Sequence, residues 1–286
     1  MSLSNLKTPC RQEGCPYAAL ELAETCWFHL PQRELYREEL IRRVREGHDF
    51  SGANFSRLGL SGADLSGARL SGADLSGARL SGVRLREADL SGAELRGADL
   101  RLADLSRLQG SGARFESAFL AESRFEFAQL ADANFAQADL RGARLTGASL
   151  YRARLDFAVL EGADFSTADL SFALLGGARA STARFDQADL SRSNLVGADL
   201  EEASLEQANL FYARLGRTRL RGAGMVRARL ERAVLREADL EGANLAGAVL
   251  DSAILERAVL TGVDLDNTQG QPANLRDVIR HGGGAV

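Results

Sequence analysis

From Phe50 to Leu265 nearly every fifth residue is Leu or Phe, the exceptions being Gly110, Ala180 and Met225. Two positions before nearly all of these stands a small residue, usually Ala, as at Ala63, Ala68, Ala73 and Ala78. The consensus reads Ala, then Asp, Asn or Arg, then Leu, then two mostly polar or small residues, and no insertion or deletion shifts the phase. A period of five fits neither the helical period of about 3.6 nor the strand period of about 2, so the leucines must be buried by another arrangement. If each pentad makes one straight side and then turns a corner, the Leu and the Ala two before it point inward, as i and i−2 do in extended chain. The residue between them points outward. Glycine recurs two positions after the Leu, as at Gly62, Gly67, Gly72 and Gly77, where a corner calls for a compact residue or positive φ. The pattern predicts stacked coils around columns of Leu and Phe.

Stretches such as SGADLSGARL (61 to 70) and EGANLAGAVL (241 to 250) carry the signature A-[DN]-L-x-x, and on these residues the chain resembles the pentapeptide-repeat family. The resemblance implies an all-β solenoid, a right-handed quadrilateral β-helix with four pentads to a coil. That gives about eleven coils and, at ~4.8 Å between stacked strands, a rod on the order of 50 Å long. Stacking would place residue i beside i+20, where unlike charges are favoured. The columns Asp64, Arg84, Asp104, Arg124 and Arg217, Glu237, Arg257 do alternate in sign. A fifteen-residue coil is disfavoured by the charges but not excluded, and the four-sided form rests on the resemblance. Phe115, Phe125, Phe135, Phe165 and Phe185 lie ten or twenty residues apart or multiples of these, which puts them on one opposed pair of faces.

Four segments are expected: a metal-binding piece over 1–30, a capping helix over 31–48, the β-helix over 49–275 and a flexible tail over 276–286. Residues 32 to 46, QRELYREELIRRVRE, lie between Pro31 and Gly47, good start and stop signals for a helix. Tyr36, Leu40, Ile41 and Val44 form its apolar stripe, and Glu38 with Arg42 and Glu39 with Arg43 make i, i+4 pairs outside. Val234, Val249, Ile254 and Val259 take outward positions in the last coils, so that surface is expected to be covered, by the tail or by a second copy. The resemblance favours a homodimer through the C-terminal coils.

Net charge is −4 and Lys7 is the only lysine, so neither a nucleic-acid-seeking nor a strongly acidic body is indicated. No apolar run approaches the ~20 residues of a membrane span, and MSLSNLKTPC lacks a signal-peptide core. A cytoplasmic location is expected. The three cysteines precede residue 27 and fall in the pattern C-x4-C-x10-C-x2-H, as Cys10, Cys15, Cys26 and His29. Three thiolates and an imidazole suit a closed tetrahedral Zn2+ site that supplies folding energy to a segment with little core. The arrangement resembles small Cys3His zinc modules; the alternative is unrelated buried thiols and a surface histidine. The histidines are His29, His48 and His281, so the solenoid has neither His nor Cys and lacks the usual nucleophile and base pairings.

Two surface features break the repeat's own rule. Tyr151, Phe172, Leu174, Phe211 and Tyr212 are aromatic or apolar at positions expected to face out, and in square coils they gather around one corner. They are interface candidates, unless arginine stems such as Arg152 and Arg192 cover them as wall packing. Arg214, Arg217, Arg219, Arg221, Arg227 and Arg229 form an arginine-rich coil, with Glu201, Glu237, Asp239 and Glu241 expected to neutralise it. The expected function is a non-enzymatic interaction or scaffold module docking a protein partner. The resemblance offers an alternative, a DNA-mimicking regulator or protector of DNA gyrase, against which the alternating columns weigh because mimicry needs a continuous negative face.

Overall fold

The computed structural model describes residues 8–280. From Asp49↔Arg69 to Val259↔Ile279, every bridge of the solenoid joins residue i in parallel to residue i+20, with one bridge in nearly every pentad. The coil is therefore four-sided, and the fold is the right-handed quadrilateral β-helix. On each side the inward Leu and the outward residue hydrogen-bond to different coils. The N–H of Leu65 donates to the Arg84 carbonyl at 2.8 Å, and the N–H of Arg84 donates to Ala63 at 2.9 Å.

Each corner closes with a turn in which the small residue donates back to the preceding Leu, as Ala63 does to Leu60 at 3.0 Å. The second corner residue has positive φ. Glycine fills many of these places, but Phe157, Phe172 and Tyr212 hold φ of 57°, 59° and 57°. Left-handed conformation costs an ordinary residue ~1–2 kcal/mol, and the ladders on either side impose it regardless.

The first corner residue has an N–H that the outward side chain two places earlier accepts. Asp64 Oδ1 takes the N–H of Ser66 at 3.2 Å and its hydroxyl at 2.8 Å; Asn134 takes the N–H of Ala136 at 3.0 Å. This is why Asp and Asn recur there: a short side chain with an sp² oxygen satisfies a backbone donor at the bend. Where Arg takes that place an acid often stands two residues on, as in Arg114–Glu116 at 3.2 Å, Arg184–Asp186 at 3.1 Å and Arg229–Glu231 at 3.2 Å. Pairs between coils also form, including Arg84–Asp64 at 3.1 Å and Arg217–Glu237 at 2.9 Å.

Inside, the Leu and Phe columns and their Ala partners are nearly inaccessible to water. Phe115 stacks on Phe135 at 4.7 Å and Phe165 on Phe185 at 5.1 Å, while Phe125 meets Phe115 and Phe135 edge-on across the tube. Where Ser193 and Thr218 replace Ala, their hydroxyls donate to Leu190 and Leu195 carbonyls at 2.7 and 2.9 Å, so no buried polar atom is left open there.

Helix α1 (Arg33–Arg45) lies at the N-terminal end with Leu40 and Val44 buried in the same core as Phe50 and Phe55. Glu39 pairs with Arg43 at 2.6 Å as the spacing implies, but Arg42 turns to Glu39 and Glu46 at 2.8 and 2.5 Å rather than to Glu38. At the other end, the backbone expected to become a free tail at 276 continues the ladder: Asn274 bridges Ile254 and Ile279 bridges Val259. Val249, Ile254 and Val259 are half-buried beside this segment, so the chain's own last coil flanks them. Residues 281–286 of the expected tail, with His281, lie outside the described residues.

Candidate functional site

The segment before α1 is a small module built from a hairpin and a tight turn. Pro9 bridges Ala18 in antiparallel sense, and the hairpin is held by Cys10 N–H to Tyr17 at 3.1 Å and Ala19 N–H to Thr8 at 2.8 Å. This hairpin carries Cys10 and Cys15. A short 3-10 turn, Trp27–His29, follows Cys26, and His29 N–H donates to the Cys26 carbonyl at 3.1 Å.

The two pieces bring Cys10, Cys15, Cys26 and His29 together, with all four ligand atoms within 4.8 Å of one another. Cys15 Sγ to Cys26 Sγ is 3.8 Å, and His29 Nδ1 lies 3.5 Å from Cys10 Sγ and 3.4 Å from Cys26 Sγ. A tetrahedron with Zn–S near 2.3 Å and Zn–N near 2.05 Å has S···S edges of about 3.8 Å and S···N edges of about 3.6 Å. The donor set and its spacing fit such an ion. The backbone N–H of Cys26 donates to Cys10 Sγ at 3.3 Å and does most to lower the Cys10 thiol to about 6, favouring the thiolate that binds metal.

The module is fastened to the first coil by residues that the repeat pattern did not single out. Trp27 is buried against Gly59, and Asn54 Nδ2 donates to the Ala19 carbonyl while Glu21 N–H donates to Asn54 at 2.8 Å. Tyr36 Oη donates to the Glu21 carbonyl at 2.7 Å, and burial pushes its phenol above the usual range. Arg33 Nε donates to the Trp27 carbonyl at 2.9 Å. The visible signal was Gly59, the first outward position of the repeat without a side chain.

The second candidate surface is the aromatic corner. Tyr151 and Phe172 meet edge-on at 5.7 Å, Phe211 and Tyr212 at 4.6 Å, and Leu174 lies on the adjoining wall. Coil stacking aligns Arg152, Phe172, Arg192, Tyr212 and Arg232 in one column. Arg192 lies over both Phe172 at 5.5 Å and Tyr212 at 5.8 Å, and Arg232 lies over Tyr212 at 5.3 Å and donates to its hydroxyl. Rings and guanidinium groups thus alternate, which joins the two readings of this corner: the arginines pack on the aromatics, yet Phe172 and Tyr212 stay about two-fifths exposed.

The arginine-rich coil is largely neutralised. Arg217 pairs with Glu237, Arg219 with Asp199 and Glu201, Arg221 with Asp239 and Glu241, and Arg229 with Glu231.

A four-sided solenoid of this register, closed at one end by a helix and a Cys3His cluster, defines a repeat protein whose outward surfaces are walls and corners. The chain belongs to the pentapeptide-repeat family: the model of pentapeptide repeats matches in eight copies over residues 46–72, 68–107, 111–147, 148–187, 188–225 and 228–267. Among solved structures it is similar to HetL from the cyanobacterium Nostoc sp. strain PCC 7120, a pentapeptide repeat protein involved in heterocyst differentiation regulation. That match has 34% identity over 84% of this chain and 93% of HetL, with a TM-score of 0.42. Full-length QnrB1, a plasmid-mediated fluoroquinolone resistance protein, is 17% identical over 78% of this chain and 91% of its own, with a TM-score of 0.26. A pentapeptide repeat protein of the Arabidopsis thaliana thylakoid lumen is 28% identical over 35% of this chain and 66% of its own, with a TM-score of 0.28. No curated protein matches. Among the described residues no helix is long and apolar enough to cross a membrane.

Proposed function

We propose that this protein is a non-enzymatic interaction module of the cytoplasm, a rigid β-helical rod that docks a protein partner through the corner formed by Tyr151, Phe172, Leu174, Phe211 and Tyr212. The observation that carries this reading is the exposed column in which Arg152, Phe172, Arg192, Tyr212 and Arg232 alternate. Aromatic and arginine side chains dominate the energetic centres of protein interfaces, and here they are held in place before any partner arrives. In the same reading Zn2+ is a structural ion held by Cys10, Cys15, Cys26 and His29. It would supply folding energy to the N-terminal module, and four protein ligands leave it no open coordination position. At the far tip Leu275 and Ile279 are exposed on the last coil, which supports a second copy of the chain as the occupant of that end. Ion pairs such as Arg84–Asp64 and Arg217–Glu237 break up any continuous negative face, so imitation of duplex DNA toward a gyrase is the weaker reading.

The test is affinity capture from the native cell with the intact chain and with Phe211→Asp/Tyr212→Asp. A protein retained by the intact chain and lost with the variant supports the reading; the same proteins retained by both would remove the corner from it. Metal analysis is expected to give one zinc per chain, and none after Cys10→Ser with Cys15→Ser.

A further inference from the structure

The wall beside the aromatic corner has an unusual charge balance. Over three successive coils it presents Phe172, Leu174, Asn194, Val196, Phe211 and Tyr212, together with Arg192, Arg214 and Arg217. Residues 171–177, 191–197 and 211–217, which form both corners and the wall between them, contain no Asp or Glu. Arg217 is engaged by Glu237. Among the described residues no carboxylate stands within ion-pair distance of Arg192, Arg214 or Arg232, whereas Arg219 and Arg221 each hold two and Arg229 holds one.

Arg192 is also pre-set. Its guanidinium lies between the rings of Phe172 and Tyr212, so little side-chain freedom is left to lose, while Arg192 as a whole stays exposed. A planar cation stacked in this way is suited to a carboxylate, which accepts from its fork in the plane of the group. The opposite corner of the wall is low: Gly176, Gly197 and Gly216 flank the exposed Val196, whose Cγ2 lies only 4.0 Å from where a Cβ on Gly216 would stand. The large side chains at that corner are Phe157, whose ring lies over Gly177, and Arg217, which is drawn toward Glu237. A Cβ on Gly197 between them would meet open space, so an extended chain can cross the wall there.

We propose that this wall binds a short acidic segment of a partner protein, extended and carrying aromatic or aliphatic residues among its carboxylates. Carboxylates meet Arg192, Arg214 and Arg232, and the apolar side chains rest on Phe172, Leu174, Val196 and Tyr212. A nucleic acid fits less well, because the acid-free zone spans only three coils, roughly 10 Å at the strand spacing of a sheet. Asp132 and Asp156 stand on one side of it and Glu231 and Glu237 on the other, where a long polyanion would be repelled. The proposal rests on the corner being the docking surface and adds the chemistry of what docks there.

The test is fluorescence anisotropy on the full chain with a fluorescein-labelled peptide rich in glutamate with interspersed phenylalanine, its glutamine counterpart, and labelled oligothymidylate. Saturable binding of the acidic peptide is expected, weakening as salt is raised and at least tenfold weaker in Arg192→Gln/Arg214→Gln and in Phe211→Asp/Tyr212→Asp, each checked for an unchanged circular dichroism spectrum. No saturable binding, equal binding of the glutamine peptide, unchanged affinity in both variants, or tighter binding of oligothymidylate would each overturn it. If the peptide fails while cellular capture still depends on Phe211 and Tyr212, only the acidic chemistry falls; if capture is also indifferent to them, the docking corner falls with it.

Discussion

The indole of Trp27 lies so close to Gly59 that a Cβ added to the glycine would stand 2.7 Å from Cζ2. Trp27 follows Cys26 directly, so the same turn that presents a metal ligand also seats the module against the first coil. Gly59→Asp, which restores a common outward residue of the repeat, is expected to push the indole into water. Trp27 is the only tryptophan, so its emission reports the event: a red shift in Gly59→Asp with the far-ultraviolet spectrum unchanged. An unshifted emission would mean that the ring is not seated there.

Metal removal should act locally. The Cys and His ligands all lie before α1, whereas each solenoid coil hydrogen-bonds mainly to its neighbours, as in repeat proteins whose stability is a sum of nearest-neighbour terms. Chelation is expected to abolish amide protection over residues 8–30 and reduce it in α1, with protection from Leu100 to Leu250 retained. Hydrogen exchange followed by mass spectrometry measures this, and uniform loss along the rod would contradict a purely local role.

Corner glycines differ in what a methyl group would meet. Gly162 and Gly177 have φ of 66° and 62°, but a Cβ finds open space at Gly162 and at Gly177 comes 2.7 Å from the exposed ring of Phe157 in the neighbouring coil. Gly162→Ala should cost about 1 kcal/mol from backbone strain alone. Gly177→Ala should cost about 1–2 kcal/mol more, because the ring must leave the corner. In Phe157→Ala the two costs should become equal, which denaturant unfolding of the double-mutant cycle would test.

Leu108 and Gly110 exchange the sizes that the repeat assigns them, a large residue at the Ala position and none at the Leu position. A Cβ on Gly110 would lie 3.1 Å from Leu108 Cδ2 and 3.0 Å from Leu130 Cδ2. Gly110→Leu alone should overpack the core by about 1–3 kcal/mol, and Leu108→Ala alone should leave a cavity costing about 2–5 kcal/mol. Together they restore the consensus, and the double variant should be closer to wild type than either single one; additive losses would refute compensation.

The period of five made the solenoid legible because its large and small residues are buried by position alone, without regard to partners far along the chain. The Cys3His cluster was legible because metal ligands are chemically distinctive at short spacing. What the pattern did not display were relations that depend on the corner's backbone. Asp64 capping Ser66 lies two residues away in one coil, where only the four-sided turn reveals a free N–H. Trp27 on Gly59 joins segments that share no period, and the end of the ladder at Ile279 was masked because residues 266–279 keep the pairing after losing the consensus.

Acid sensitivity follows from the corner caps. The Ser66 hydroxyl, with its backbone N–H, holds Asp64 below the usual carboxylate range, and Ser51 does the same for Asp49. The folded value lies below the unfolded one of about 3.9, so the stabilisation is complete above that value and is lost as pH falls through the folded value. Stability is therefore expected to be flat from neutrality to about pH 5 and to decline below it. An asparagine supplies the same Oδ1 without titrating, as Asn134 does for Ala136. Asp49→Asn/Asp64→Asn should stay near wild type at neutral pH, apart from the lost Arg84 pair, and should decline less steeply in acid. Urea midpoints measured across the acid range would decide it, since an identical acid slope would show that these caps do not carry the pH dependence.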